Sequence, residues 1–157
     1  MNKLNLGSGK DYREDWINVD ITGKANITHD LNQFPYPFPD NYADEILMSH
    51  ILEHLDDPFE VLKEVMRISK EGAKITIKVP HFSYLGAYRN PAHKHVFSLD
   101  SIDELYCGFT IVQKKLIVSN NKFVNLVGQL FIIYPLFYER FLYGYFPVNE
   151  IRWIIKK

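Results

Sequence analysis

Short apolar runs that end on glycine, on acidic residues or on proline dominate the first half of the chain. Leu4-Asn5-Leu6 stops at Gly7-Ser8-Gly9, which reads as a buried strand ending in a tight turn, because glycine tolerates positive φ and lets the backbone lie close to a ligand. Strands are predicted at 3–6, 17–21 and 26–31, the second closing on Asp20 and the third on Asp30-Leu31. Only residues 10–16 join the first two, fewer than a helical crossover takes, so a first helix has at most two turns and an irregular loop serves equally well. Pro35, Pro37 and Pro39 at alternate positions make 33–41 a stiff connector. A fourth strand follows at 43–49. Asp57 is a good N-cap with Pro58 at the first helical position, Leu55, Phe59, Leu62 and Met66 share one face, and Gly72 is placed to end the helix. Residues 73–79 are almost continuously apolar, as in a strand covered on both faces. Ser98 or Asp100 caps a short helix to Leu105, 109–119 reads as strand six, and 150–156 alternates Ile151, Trp153 and Ile155 against Arg152 and Lys156 as strand seven. Between them, 122–147 concentrates aromatic residues and reads as helical, yet its apolar run is too short to span a bilayer.

Composition narrows the classes. At 157 residues the chain is expected to form one domain with a sizeable core, and 46% hydrophobic with 24% charged residues is ordinary for a soluble globular protein. A net charge of -1 argues against a broad electrostatic grip on nucleic acid. Cys107 is the single cysteine, which excludes an intramolecular disulfide and fits a reducing compartment. The chain enters the glycine turn almost at once, leaving no room for a signal-peptide apolar region, so a cytoplasmic location is expected.

Leu4-Asn5-Leu6-Gly7-Ser8-Gly9 resembles the first motif of class I S-adenosylmethionine (SAM)-dependent methyltransferases, and residues 37–80, PFPDNYADEILMSHILEHLDDPFEVLKEVMRISKEGAKITIKVP, resemble that family's segment from the loop after strand three through strand five. The dinucleotide-binding fingerprint fits less well, since Tyr12 stands where a third glycine belongs and Asp20 follows too soon. The resemblance implies an α/β, doubly wound, seven-stranded, mostly parallel Rossmann-like sheet with the last strand antiparallel between strands five and six. Two departures are a shortened first helix and the aromatic-rich helical insertion at 122–147, which is read as a packed hairpin, a lid, a homodimer surface or a peripheral membrane contact. SAM is the implied cofactor. Asn5, Gly7, Ser8 and Gly9 are assigned to its methionine end, Asp20 with Ile21 to the ribose, Asp30 and Leu31 to the adenine, and Ser49 and His50 to the floor under the sulfonium. Asn5 departs from the acidic residue common in the family and brings no charge.

Methyl transfer needs acceptor and methyl held in line, with a base only for a poorly acidic acceptor. His81, His93 and His95 are the candidates for acceptor positioning or base, on a hydroxyl or carboxyl acceptor of a small molecule or saccharide. His50-x-x-Glu53-His54 also matches the HxxEH pattern of a zinc peptidase family, but the cap at Asp57 keeps the pentad off one helix. With His93 or His95 the same segment resembles the metal-binding pattern of small-RNA 2'-O-methyltransferases, whose first ligand is a glutamate where His50 stands; no metal is assigned. A non-catalytic SAM-binding module and a membrane-surface methyltransferase with a lipid-linked acceptor are the competing readings.

Overall fold

A computed structural model describes residues 1–119, 121–132 and 134–157. Seven strands form one sheet in the order β3-β2-β1-β4-β5-β7-β6. They are β1 (Lys3–Leu6), β2 (Ile17–Asp20), β3 (Ile27–Thr28), β4 (Ala43–Ser49), β5 (Ser69–Pro80), β6 (Thr110–Ile117) and β7 (Glu150–Lys156). The pairs β1–β2, β2–β3, β1–β4 and β4–β5 are parallel, while β7 runs antiparallel to both β5 and β6, as the resemblance implied. Leu4, Leu6, Ile46, Met48, Ile75, Ile77, Ile151 and Trp153 are fully buried, so the near-continuous apolar strands belong to a sheet covered on both faces. Trp153 satisfies its indole by donating to the Leu99 carbonyl at 2.8 Å and packs edge-on against Phe97.

No helix forms between β1 and β2; the connection is a set of turns held from inside by Asn18. The Asn18 carbonyl oxygen accepts from Arg13 N and Asn5 Nδ2, and its amide nitrogen donates to the carbonyls of Arg13 and Trp16 and to Asn26 Oδ1. A side-chain hub thus does the backbone pairing that a helix would have done internally. The expected third strand, 26–31, shrinks to Ile27–Thr28, because His29 N still reaches Asp20 O but Asp30 Oδ1 then turns the chain by accepting from Asn32 N.

The first long helix, α1 (Pro58–Ile68), starts as predicted, with Asp57 Oδ1 accepting from Phe59 N and Glu60 N. Two expectations about it are corrected. Phe59 is 39% exposed and lies under Lys63, because Val61 and Val65 rather than Phe59 join Leu62 and Met66 in the buried stripe. Gly72 does not cap the helix: Ser69 ends it, and Gly72 (φ +75°) lies within β5, donating to the Lys157 carbonyl. The Ser69 hydroxyl ties back to Val65 O, and Ser69 pairs directly with Ala43, so the chain leaves the helix straight into the sheet.

Arg67, in the last turn of α1, holds the proline-rich connector. It forks onto Glu64 at 2.6 and 2.9 Å, reaches Asp40 Oδ1, and donates to the carbonyls of Tyr36 and Phe38. The Arg67 hydrogen bond holds the Glu64 carboxyl below its ordinary range, against the effect of burial. A lowered folded-state pKa contributes stability above the unfolded value, about 4.3, and loses it as pH falls through the folded value. Glu64→Gln is therefore expected to lower the unfolding free energy by about 1–2 kcal/mol at neutral pH. In urea titrations the gap to wild type should narrow below about pH 4.

Among the described residues between β5 and β7, the helical segments are α2 (Gly86–Arg89), α3 (Ser101–Glu104), α4 (Lys122–Phe131), which Asn121 caps, and turns at Pro135–Phe137 and Tyr138–Leu142. The described part of the predicted insertion is thus helical from 122 to 131 and from 135 to 142. Among the described residues no helix is long and apolar enough to cross a membrane.

Candidate functional site

β1 ends in the turn that the glycines require. Gly7 has φ +71° and Gly9 φ +47°, a region costly for residues with a Cβ. Gly7 is also sterically enforced, since a Cβ there would lie 2.4 Å from Ile51 Cγ1. Gly7 N and Ser8 N donate to Val19 O, and Gly9 N donates to Asp20 Oδ2 at 2.8 Å. Asp20 Oδ1 accepts from Thr22 N, so two backbone amides aim this carboxylate from the end of β2. The two adjacent strand ends therefore present one acidic group over one glycine turn.

Beside them lies a cleft of about 210 Å³. Gly7, Asp20, Ile21, Asp30 and Leu31, which the sequence reading assigns to a cofactor, are among the residues that line it. Ile51, His54 and Leu55, from the turn after β4 that includes a 3-10 segment (Leu52–His54), close the opposite wall. Those three were not anticipated as cleft residues. Their signal was present in the polar-apolar run after the fourth strand, but which side chains face the cleft depends on the helical turn there. Asn5, Ser8, Gly9, Ser49 and His50 are not among the lining residues. Asn5 and Ser8 are buried directly behind the turn, and Asn5 Oδ1 and Ser8 Oγ have no partner among the described residues. The Asn5 amide nitrogen is taken by Asp11 O and Asn18 Oδ1.

His50 follows β4 in the left-handed region at φ +56°. Its ring lies between Glu150 Oε2 at 3.2 Å and Glu53 Oε1 at 3.5 Å. Hydrogen bonding to Glu150 and Glu53 outweighs burial and pushes its pKa up to about 9. The imidazole is cationic at neutral pH and is not a base there.

The remaining histidines separate. His81 is fully buried; its Nε2 donates to Glu139 Oε1 and its Nδ1 meets Ser83 Oγ, both at 2.8 Å. Ser83 Oγ in turn contacts Tyr138 and accepts from Val148 N. The expectation that His81 positions the acceptor is corrected: both ring nitrogens are committed to fastening the insertion onto the end of β5. His95 turns its Nε2 to the carbonyl of Leu55 at 3.0 Å and lies in a separate surface dent with Phe59 and Leu105 that shares no lining residue with the cleft. It too leaves the set expected to meet the acceptor. The His93 ring stands edge-on to that of His54, with centroids 4.7 Å apart, on the loop stitched to the cleft wall. A second, larger cavity of about 560 Å³ lies between the insertion and Phe82, sharing no lining residue with the cleft.

Residues 11–77 match the family model for a methyltransferase domain. No curated protein matches the chain. Among solved structures, a SAM-dependent methyltransferase from Archaeoglobus fulgidus is similar over 99% of this chain and 86% of its own, with 24% identity and a TM-score of 0.73. A protein solved in complex with the Haloferax volcanii Trm112 methyltransferase activator shows 14% identity and a TM-score of 0.68, over 99% of this chain and 81% of its own. A SAM-dependent methyltransferase from Mesorhizobium loti shows 12% identity and a TM-score of 0.67, over 99% and 90%. The fold is that of SAM-dependent methyltransferases, and the segment 11–77 is similar to their methyltransferase domain.

The cofactor that a methyltransferase domain implies is SAM, and the residues present fit it. Gly7 puts a turn with no side chain on the cleft wall, and Asp20, aimed by Gly9 N and Thr22 N, puts a carboxylate beside it. Asp20 would accept from the ribose hydroxyls, and Asp30 with Leu31 would border the base. SAM supplies an electrophilic methyl group on a good thioether leaving group.

Proposed function

We propose that this chain is a SAM-dependent methyltransferase acting on a hydroxyl or carboxyl oxygen of a small molecule or saccharide, engaged at the edge of the cleft where His54 and His93 meet. The observation that supports this reading is the position of that pair. His54 forms part of the cleft wall, and His93 stands against it at the carboxyl edge of the parallel strands, where open α/β sheets bind ligands. Two imidazoles give this edge groups that hydrogen-bond an acceptor oxygen and hold it in line. A carboxylate acceptor needs no base, whereas a hydroxyl must lose its proton as the new C–O bond forms.

The test is a screen of hydroxyl- and carboxyl-bearing acceptors, followed by release of demethylated cofactor and by product mass. His93→Ala is expected to lower turnover at least about 100-fold while SAM affinity by calorimetry stays within about twofold of wild type. Unchanged turnover would remove His93 from the site.

A second reading places the enzyme on a lipid surface through the insertion. Phe123, Leu126, Leu130, Tyr134 and Leu136 are all more than half exposed, Phe123 at 74%, and such apolar and tyrosine side chains favour an interface. Sedimentation with anionic liposomes, lost in Phe123→Ser/Leu126→Ser, is the outcome this version expects. Retention in the supernatant sinks it.

A further inference from the structure

We propose that Glu53, His54 and His93 bind a divalent transition-metal ion at the edge of the cofactor cleft. One ligand atom from each lies within 4.8 Å of the others. Glu53 is only 1% exposed, and while its Oε1 faces the His50 ring at 3.5 Å, its Oε2 has no partner among the described residues. An unpaired oxygen on a buried carboxylate is costly, and a cation bound there removes that cost.

The two rings are prepared in the same sense. His54 Nδ1 donates to the Ala92 carbonyl at 3.1 Å, and His93 Nδ1 donates to the Ala87 carbonyl at 2.9 Å. Each bond fixes the tautomer whose Nε2 keeps its lone pair, the arrangement that backbone carbonyls impose on metal-ligating histidines. The loop carrying His93 is held in place by Lys94 N and His95 N, both donating to Glu53 O, and by the Lys94–Asp56 ion pair. Ligands from the turn after β4 and from a distant loop are thereby locked to one another through the Glu53 backbone itself. His50, which the H-x-x-E-H spacing alone would include, is turned to Glu150 instead.

Two imidazoles and one carboxylate suit zinc, cobalt or manganese rather than magnesium or calcium, which favour all-oxygen shells. Three protein ligands also leave a position open to an outside ligand, as in catalytic rather than structural zinc sites. With an ion bound, His54 and His93 hold the metal, and an acceptor oxygen enters the open position. That last step rests on the reading above; metal binding does not.

The experiment uses metal-free full-length protein without SAM or acceptor, titrated with Zn²⁺ by calorimetry and with Co²⁺ by visible absorption. The expected result is one ion per chain with cobalt ligand-field bands. Glu53→Gln and His93→Ala should each weaken binding at least about tenfold, while His95→Ala leaves it unchanged. Absence of stoichiometric binding by wild type, equal binding by Glu53→Gln and His93→Ala, or loss in His95→Ala overturns the proposal. His93 lies on a partly exposed loop, so its variant carries the test should Glu53→Gln fail to fold by circular dichroism. Zinc binding intact in a protein that methylates no oxygen acceptor supports the metal site and sinks the acceptor reading.

Discussion

Asn18→Leu is expected to lower the unfolding free energy by about 4 kcal/mol, a large share of the roughly 5–15 kcal/mol a domain of this kind has. Asn18 is fully buried and its side chain makes five hydrogen bonds, to Asn5, Arg13 N, Arg13 O, Trp16 O and Asn26. Leucine fills similar space but orphans those groups, each at about 1–3 kcal/mol when water cannot reach it. The sum is discounted because Arg13 and Trp16 lie on a partly exposed loop that can relax toward solvent. Urea unfolding with an unchanged m-value is the measurement; a loss under about 1 kcal/mol would show that the loop does not depend on this hub. Because the same residues anchor Asn5 behind the glycine turn, the variant should also bind SAM more weakly even where it remains folded.

Asp20→Ala is expected to weaken SAM binding by at least about 100-fold, with little change in thermal stability. Hydrogen bonds to a charged carboxylate contribute about 1.5–3 kcal/mol each, and a ribose offers two hydroxyls. Asp20 also organises the site before any ligand arrives, since Gly9 N and Thr22 N both donate to it. Its removal frees the turn as well as deleting the acceptor. Calorimetry with SAM and its demethylated product, comparing wild type, Asp20→Asn and Asp20→Ala, separates these effects. Asparagine keeps an oxygen for one backbone amide and should fall between the other two. Equal affinity in all three would place the ribose elsewhere.

The glycine turn, the acidic end of β2, the Asp57 cap and the alternating seventh strand were legible because each rests on local rules: positive φ, hydrogen bonding at a helix start, and a two-residue period. Gly7 and Asp20 line the cleft for the same reason, since a strand end fixes where its last residues go. The histidines were not separable in this way. All six lie near strand ends or in the loops beyond them, and nothing in the spacing distinguishes His81, sealed between Ser83 and Glu139, from His93, set against His54. Burial and partner choice are properties of how the loops dock. The sequence therefore determined the sheet, its glycine turn and the acidic strand ends beside it. The folded structure alone decided that Asn18 replaces a helix, that His81 is a fastening and that Glu53, His54 and His93 converge, because each depends on contacts between segments far apart in the chain.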